Sequence, residues 1–225
     1  MIEAGNPNAF DEALEVSASD LVRFEASRSQ AASVLSTMPR RDAEKAVIDT
    51  ILGKRSVSGT AGSKSLWLLD DAFLSYTSAD GEAAMADIAM DLASRFELLD
   101  PGTSLSVFFA RDAHGQPNRL LIIEARAAMR DIFENSKALL KARIYASAMA
   151  EHITTVREVS YYSIADIGDE FHADLKRTGF NAIFSRQEPV LYRDFLVGKS
   201  DDVPLHFFIL APAALLTMIQ ARLAR

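Results

Sequence analysis

Apolar positions along this chain of 225 residues recur with two periods. A spacing of about 3.6 marks helices, and alternation or an unbroken short apolar run marks strands. Ser19 or Asp20 can cap a helix running to Thr37, whose stripe is Leu21, Phe24, Ala31, Val34 and Leu35. Pro39 breaks it. A second helix follows over Arg41–Leu52, with Ala43, Val47, Ile48 and Ile51 inward and Gly53 as the stop. Ser65-Leu-Trp-Leu-Leu-Asp70 predicts a short strand with Trp67, the only tryptophan, as a core residue. Asp80–Phe96 predicts a helix with Met85, Ile88, Ala89 and Leu92 on one face.

The centre of the chain predicts a hairpin. Leu105–Ala110 is apolar and β-prone, His114-Gly-Gln-Pro-Asn118 has turn chemistry, and Leu120–Ile123 is four branched aliphatics in a row. Such a run fits a strand buried on both faces. Glu124 and Arg126 end it, two residues apart and therefore on the same face. A long helix is predicted from Met129 to His152, a strand over Val156–Ile164, and a helix over Ala165–Thr178 stopped by Gly179. Phe180–Phe184 and Val190–Leu196 read as strands around Ser185-Arg-Gln-Glu-Pro189, and Leu205–Leu210 as the last strand. Pro212 sits early in a terminal helix, where its missing N–H costs little. The order predicts a three-layer α/β domain: a mixed sheet flanked by helices, with an N-terminal helical pair. Residues 1–19 read as a linker or disordered lead-in, 20–53 as the helical pair, and 64–225 as the sheet core of one domain, 20–225.

Composition narrows the function classes. The length suits one large domain that buries roughly 70–75% of its unfolded surface. The absence of cysteine excludes disulfides, thiolate metal sites and thiol catalysis, and is compatible with a cytoplasmic setting. A net charge of −7 argues against a broad basic face, although Arg40–Arg41, Lys54–Arg55 and Lys137, Lys141, Arg143 form local clusters. The start lacks a signal-peptide pattern, and the apolar stretch Phe207–Met218 is too short to span a bilayer, so no membrane partner is expected. Gly59-Thr-Ala-Gly-Ser-Lys64 has the wrong spacing for a phosphate loop. His114, His152, His172 and His206 have no metal-ligand spacing, and no Gly-x-Ser-x-Gly elbow occurs.

Four stretches carry a resemblance. They are Glu44-Lys-Ala-Val-Ile-Asp-Thr-Ile51, Ser65-Leu-Trp-Leu-Leu-Asp70, Arg119-Leu-Leu-Ile-Ile-Glu-Ala-Arg126 with Met129-Arg130, and the closing strand and helix from His206 to Leu223. With them the chain resembles the restriction-endonuclease-like, or PD-(D/E)XK, nuclease fold. More narrowly, it resembles the nuclease-like domain that follows GHKL-type ATPase modules in some bacterial proteins. The resemblance implies a helical Glu, an Asp on one hairpin strand and Glu-x-Lys on the next. In an active member these carboxylates hold Mg²⁺, which acidifies a bound water, and the Lys orients or activates that water.

The sequence departs from that set. The resemblance puts Ser104 where the metal-binding Asp should fall, and Leu139 where a Gln is often found. Glu-x-Lys becomes Glu124-Ala-Arg126, and arginine stays protonated, so it can bind phosphate but not act as a base. Glu44 and Glu124 match, and Asp100 or Asp112 are candidates to complete a metal site. The leading expectation is a catalytically degenerate nuclease-like domain, binding or assembling within a bacterial ATPase-linked or antiphage defence-type system. It needs no cofactor and has DNA, a protein partner or an ATPase module as partner; the linker-like 1–19 fits a chain cut from such a module. One alternative is an Mg²⁺-dependent DNA nuclease, with Glu124, Glu44 and Asp100 or Asp112 on the metal and Arg126 on the phosphate. Another is an interaction domain that homodimerises through the helices 21–37 and 41–52 without nucleic acid.

Overall fold

The computed structural model describes residues 26, 28–52, 66, 68–98, 102–126, 132–183 and 190–224. The lead-in 1–19, the Lys54–Ser65 loop, Trp67, Asp100, Met129, Arg130 and the Ser185–Pro189 turn lie outside the described residues.

The expected hairpin forms the backbone of the sheet. Strands β1 (Thr77–Ser78), β2 (Thr103–Arg111), β3 (Pro117–Arg126), β4 (Glu158–Ile164), β5 (Asn181–Ile183), β6 (Val190–Val197) and β7 (Val203–Leu210) make one seven-stranded sheet. Its order is β1-β2-β3-β4-β7-β6-β5. The central strands β3, β4 and β7 run parallel. Antiparallel pairs extend the sheet on both sides. The short β5 pairs only with Val190–Tyr192, so the rest of β6 has no described strand on its outer side.

Because β3 lies inside the sheet, alternate side chains enter two separate cores. Leu120 and Ile122 pack with Leu92, Tyr145, Met149 and Leu175. These come from α3 (Ala83–Arg95), α4 (Ile132–His152) and α5 (Asp169–Arg177). Leu121 and Ile123 pack with Leu35, Val47, Ile51, Leu215 and Ile219. These come from α1 (28–37), α2 (Arg40–Ile51) and α6 (Pro212–Leu223). The result is a three-layer α/β architecture on a mixed sheet, as the element order predicted. The N-terminal helical pair forms one layer together with α6: α2 packs against α6, and their apolar stripes close the same face of the sheet.

Local chemistry fixes the ends of the elements. Asp112 accepts from the backbone N–H groups of His114 at 2.8 Å and Gln116 at 3.0 Å, holding the hairpin turn. In α5, Asp169 and Glu170 sit in the first turn and Lys176 and Arg177 in the last, matching the helix dipole. Gly179 closes α5 at φ +92°, with Phe180 N donating to the Leu175 carbonyl at 2.9 Å.

Three expectations are corrected. The stretch to Asp70 is not a strand. Leu66, Leu68 and Leu69 are all buried, which alternation on a strand with one wet face does not allow. The chain coils instead, with Leu69 N bonded to the Leu66 carbonyl at 2.9 Å. Asp70 then accepts from Ala72 N at 2.9 Å and caps a 3-10 turn over Asp71–Ser75. The helix expected from Asp80 begins at Ala83, after a 3-10 turn over Ala79–Gly81. The helix expected from Ala165 begins at Asp169, because the Ala165 N–H is taken by the Leu210 carbonyl at 3.0 Å.

Ile122 has no exposed surface and sits at the centre of the parallel strands. Ile122→Ala is expected to lower unfolding stability by about 2–5 kcal/mol in urea titration, without changing the denaturant slope.

Candidate functional site

The acid and base at the end of β3 form the most tightly enclosed polar cluster described. Glu124 is 1% exposed. Parity with Leu120 and Ile122 turns both Glu124 and Arg126 toward the α4 layer. Arg126 Nη2 donates to Glu124 Oε2 at 2.5 Å and to the Ala138 carbonyl of α4 at 3.1 Å. Tyr161 of β4 donates its hydroxyl to the same Glu124 oxygen at 2.9 Å. The Arg126 side chain is 4% exposed, and its Nε is buried with no hydrogen-bond partner among the described residues. The cluster therefore ties β3 to β4 through one carboxylate oxygen and to α4 through the guanidinium beside it.

Its electrostatics follow from burial. Desolvation works against the Arg126 charge, but the adjoining Glu124 carboxylate outweighs it, so the guanidinium is held even more firmly protonated than usual. Desolvation, and then the Glu124 charge, push the Tyr161 phenol well above the ordinary tyrosine range. Tyr161 is thus a neutral donor to a carboxylate that already has a cation beside it.

The other candidate residues do not gather there. Glu44 lies on α2, in the opposite helical layer, and pairs with Arg40 one turn earlier at 3.2 Å. The sheet stands between Glu44 and Glu124. Asp112 is in the turn at the far end of the hairpin. Leu105 is the residue opposite Glu124, which puts Asp112 about 23 Å further along the strand. Asp100 lies outside the described residues. Ser104 pairs with Ala125, not with Glu124. Its face is that of Ser106, whose hydroxyl donates to the Leu52 carbonyl at 3.0 Å on the α2 side. The β2 positions beside Glu124 and Arg126 are Leu105 and Thr103, so the correct parity offers no second carboxylate. Leu139 of α4 is half-buried against the same core. Among the described residues no group of three acidic, histidine or cysteine side chains could hold a metal ion.

Tyr161 is the member that sequence reasoning missed. It falls within the strand expected over Val156–Ile164, which assigns its hydroxyl no role. The signal available was that a buried tyrosine hydroxyl needs a partner. The partner could be named only once the β3–β4 register was known.

Of the histidines, His206 has an acidic neighbour: its Nδ1 is 2.7 Å from Asp194 Oδ1 across β6 and β7, with Tyr192 also bonded to Asp194. His152 Nδ1 contacts its own helix at the Ala148 carbonyl, 2.9 Å away.

The chain matches no family model, no curated protein and no solved structure. No described helix is long and apolar enough to cross a membrane.

Removing one partner from the buried pair leaves the other charge uncompensated. Glu124→Gln is expected to destabilise the fold by about 3–5 kcal/mol, whereas the double replacement Glu124→Leu with Arg126→Met should stay near the parent. Chemical denaturation of Glu124→Leu, Arg126→Met and the double variant measures the coupling.

The tyrosines set an alkaline limit. Burial, followed by the Glu158 charge, raises Tyr76 from 10.0 to about 12, and burial raises Tyr145 and Tyr162 further. The folded state keeps these protons after the unfolded chain has lost them. Their stabilising contribution is therefore complete below pH 10.0; that of Tyr76 is lost as pH rises toward about 12, and the loss from Tyr145 and Tyr162 continues at still higher pH. Urea midpoints should be level with respect to these groups up to pH 10.0 and fall across that window.

Proposed function

We propose that this chain is a catalytically inactive, restriction-endonuclease-like domain that acts by binding or assembly. Support for the fold kinship comes from the hairpin β2–β3, followed by a helix and a parallel strand, with Glu124-x-Arg126 at the end of the second hairpin strand. One observation carries the inactive assignment. The carboxylate at the position expected to hold the metal is filled from inside by Arg126 and Tyr161.

A divalent cation at Glu124 would have to displace a guanidinium from a nearly dry site, and the β2 residues opposite Glu124 and Arg126, Leu105 and Thr103, supply no carboxylate to share the ion. Arg126 is equally committed: with its side chain 4% exposed, it is not presented to a phosphate backbone. The pair acts as an internal clasp in place of a reaction centre. Attachment to an ATPase module or a role in a bacterial defence-type system belongs to the resemblance and is part of this proposal.

Calorimetry with millimolar Mg²⁺ should give no binding heat, and linear and supercoiled DNA should both remain uncut. Saturable magnesium binding that disappears in Glu124→Gln, with cleavage, would falsify the inactive assignment. Retention of DNA without metal, weakening as salt rises, is the expected signature of a nucleic-acid-binding role.

A further inference from the structure

On the same side of the sheet as Glu124, but across at β6, α4 and α5 leave a cleft of about 170 Å³. Its apolar lining includes Leu139, Phe180, Phe195 and Phe207. Phe180 and Phe195 both meet Phe207 edge-on, with ring centroids 6.1 and 6.2 Å away. Two arginines stand at this aromatic floor. Arg193 lies 4.6 Å and Arg143 5.2 Å from the centroid of Phe195.

The two cations are held differently. Arg193 is fixed in place: it donates to the Thr178 carbonyl and lies against Gly179, where an added Cβ would come within 3.4 Å of the guanidinium. The bare Cα of Gly179 leaves it that room. Arg143 is exposed, rests on Phe195, and makes no hydrogen bond or ion pair among the described residues. The guanidinium carbons are within roughly 10 Å of each other, close enough for one ligand to reach both. The carboxylate in the lining, Asp174, is already engaged by Ser136 at 3.2 Å and by Arg177. Two positive charges thus flank an apolar hollow, and its lining acid, Asp174, is spent on other donors.

We propose that this cleft binds a phosphate monoester carrying a flat apolar group, of the aryl or nucleoside monophosphate class. The phosphate, with a charge near −2, bridges Arg143 and Arg193. The ring packs against Phe195, Leu139 and Leu140, the accessible apolar side chains of the cleft, above the buried Phe180 and Phe207. The site is separate from the Glu124 clasp and does not depend on the nuclease-like reading.

Phenyl phosphate, adenosine monophosphate and inorganic phosphate, titrated into the full chain by calorimetry, test the site. Phenyl phosphate or adenosine monophosphate should bind saturably and more tightly than inorganic phosphate, with affinity falling as salt rises. Arg143→Ala should weaken binding about tenfold or more, as loss of a charged hydrogen bond does. Arg143 supports no described neighbour by hydrogen bonding, so this variant should fold normally, as circular dichroism would report. Arg193→Lys, which keeps the charge but loses the planar fork, should also weaken it. No saturable binding at about ten millimolar of either organic phosphate, a range where affinity is only a few kcal/mol, overturns the proposal. So does unchanged affinity in folded Arg143→Ala, or equal affinity for inorganic phosphate.

Discussion

The arrangement rests on the parity of β3. A strand paired on both edges and covered on both faces sends successive side chains into different layers. Leu120, Ile122, Glu124 and Arg126 go toward α3, α4 and α5, while Leu121, Ile123 and Ala125 go toward α1, α2 and α6. A shift of one residue would put aliphatic and charged groups in each other's places, so the register is strongly held. The same parity puts the helical glutamate, Glu44, and the strand glutamate, Glu124, on opposite sides of the sheet.

Given that parity, the ion pair follows from solvation. A carboxylate at 1% exposure cannot stay charged without a partner, and Arg126 is the cation on its face. The net stabilisation from such a pair is small, because both ions lose their water. What it adds is selectivity: Glu124, Arg126, Tyr161 and the Ala138 carbonyl fit together only if β3, β4 and α4 meet in one relative position. The single Arg126 Nε without a described partner is a remaining cost of that enclosure.

Much of this was legible in the sequence. The unbroken aliphatic run of β3, the turn residues after β2 and the long apolar helix before β4 carry strong local signals. The hairpin, the parallel neighbour and the two helical layers follow from them. The pairing of Glu124 with Arg126 was legible too, because spacing by two on a strand fixes a shared face. Ser104 was not, since its face depends on whether β2 meets β3 one residue earlier or later. The Leu66–Leu69 segment looked like a strand because its composition is apolar. Its turns are set by Asp70 capping and by three leucines packing on one core, and neither shows as a period. Tyr161 and the two arginines over Phe195 depend on contacts between distant elements, which no local pattern encodes.

The brevity of β5 has a further consequence. Beyond Tyr192, β6 has no strand on its outer side among the described residues, and such a rim is a template on which foreign strands can grow. Here the rim carries Arg193 and Asp194 on opposite faces, and the chain turns sharply away at Gly198, where φ is +88°. An arriving strand would have to strip water from charges on both its sides along a ledge only a few residues long. The abbreviated neighbour is thus tolerated because the exposed ledge resists unplanned polymerisation.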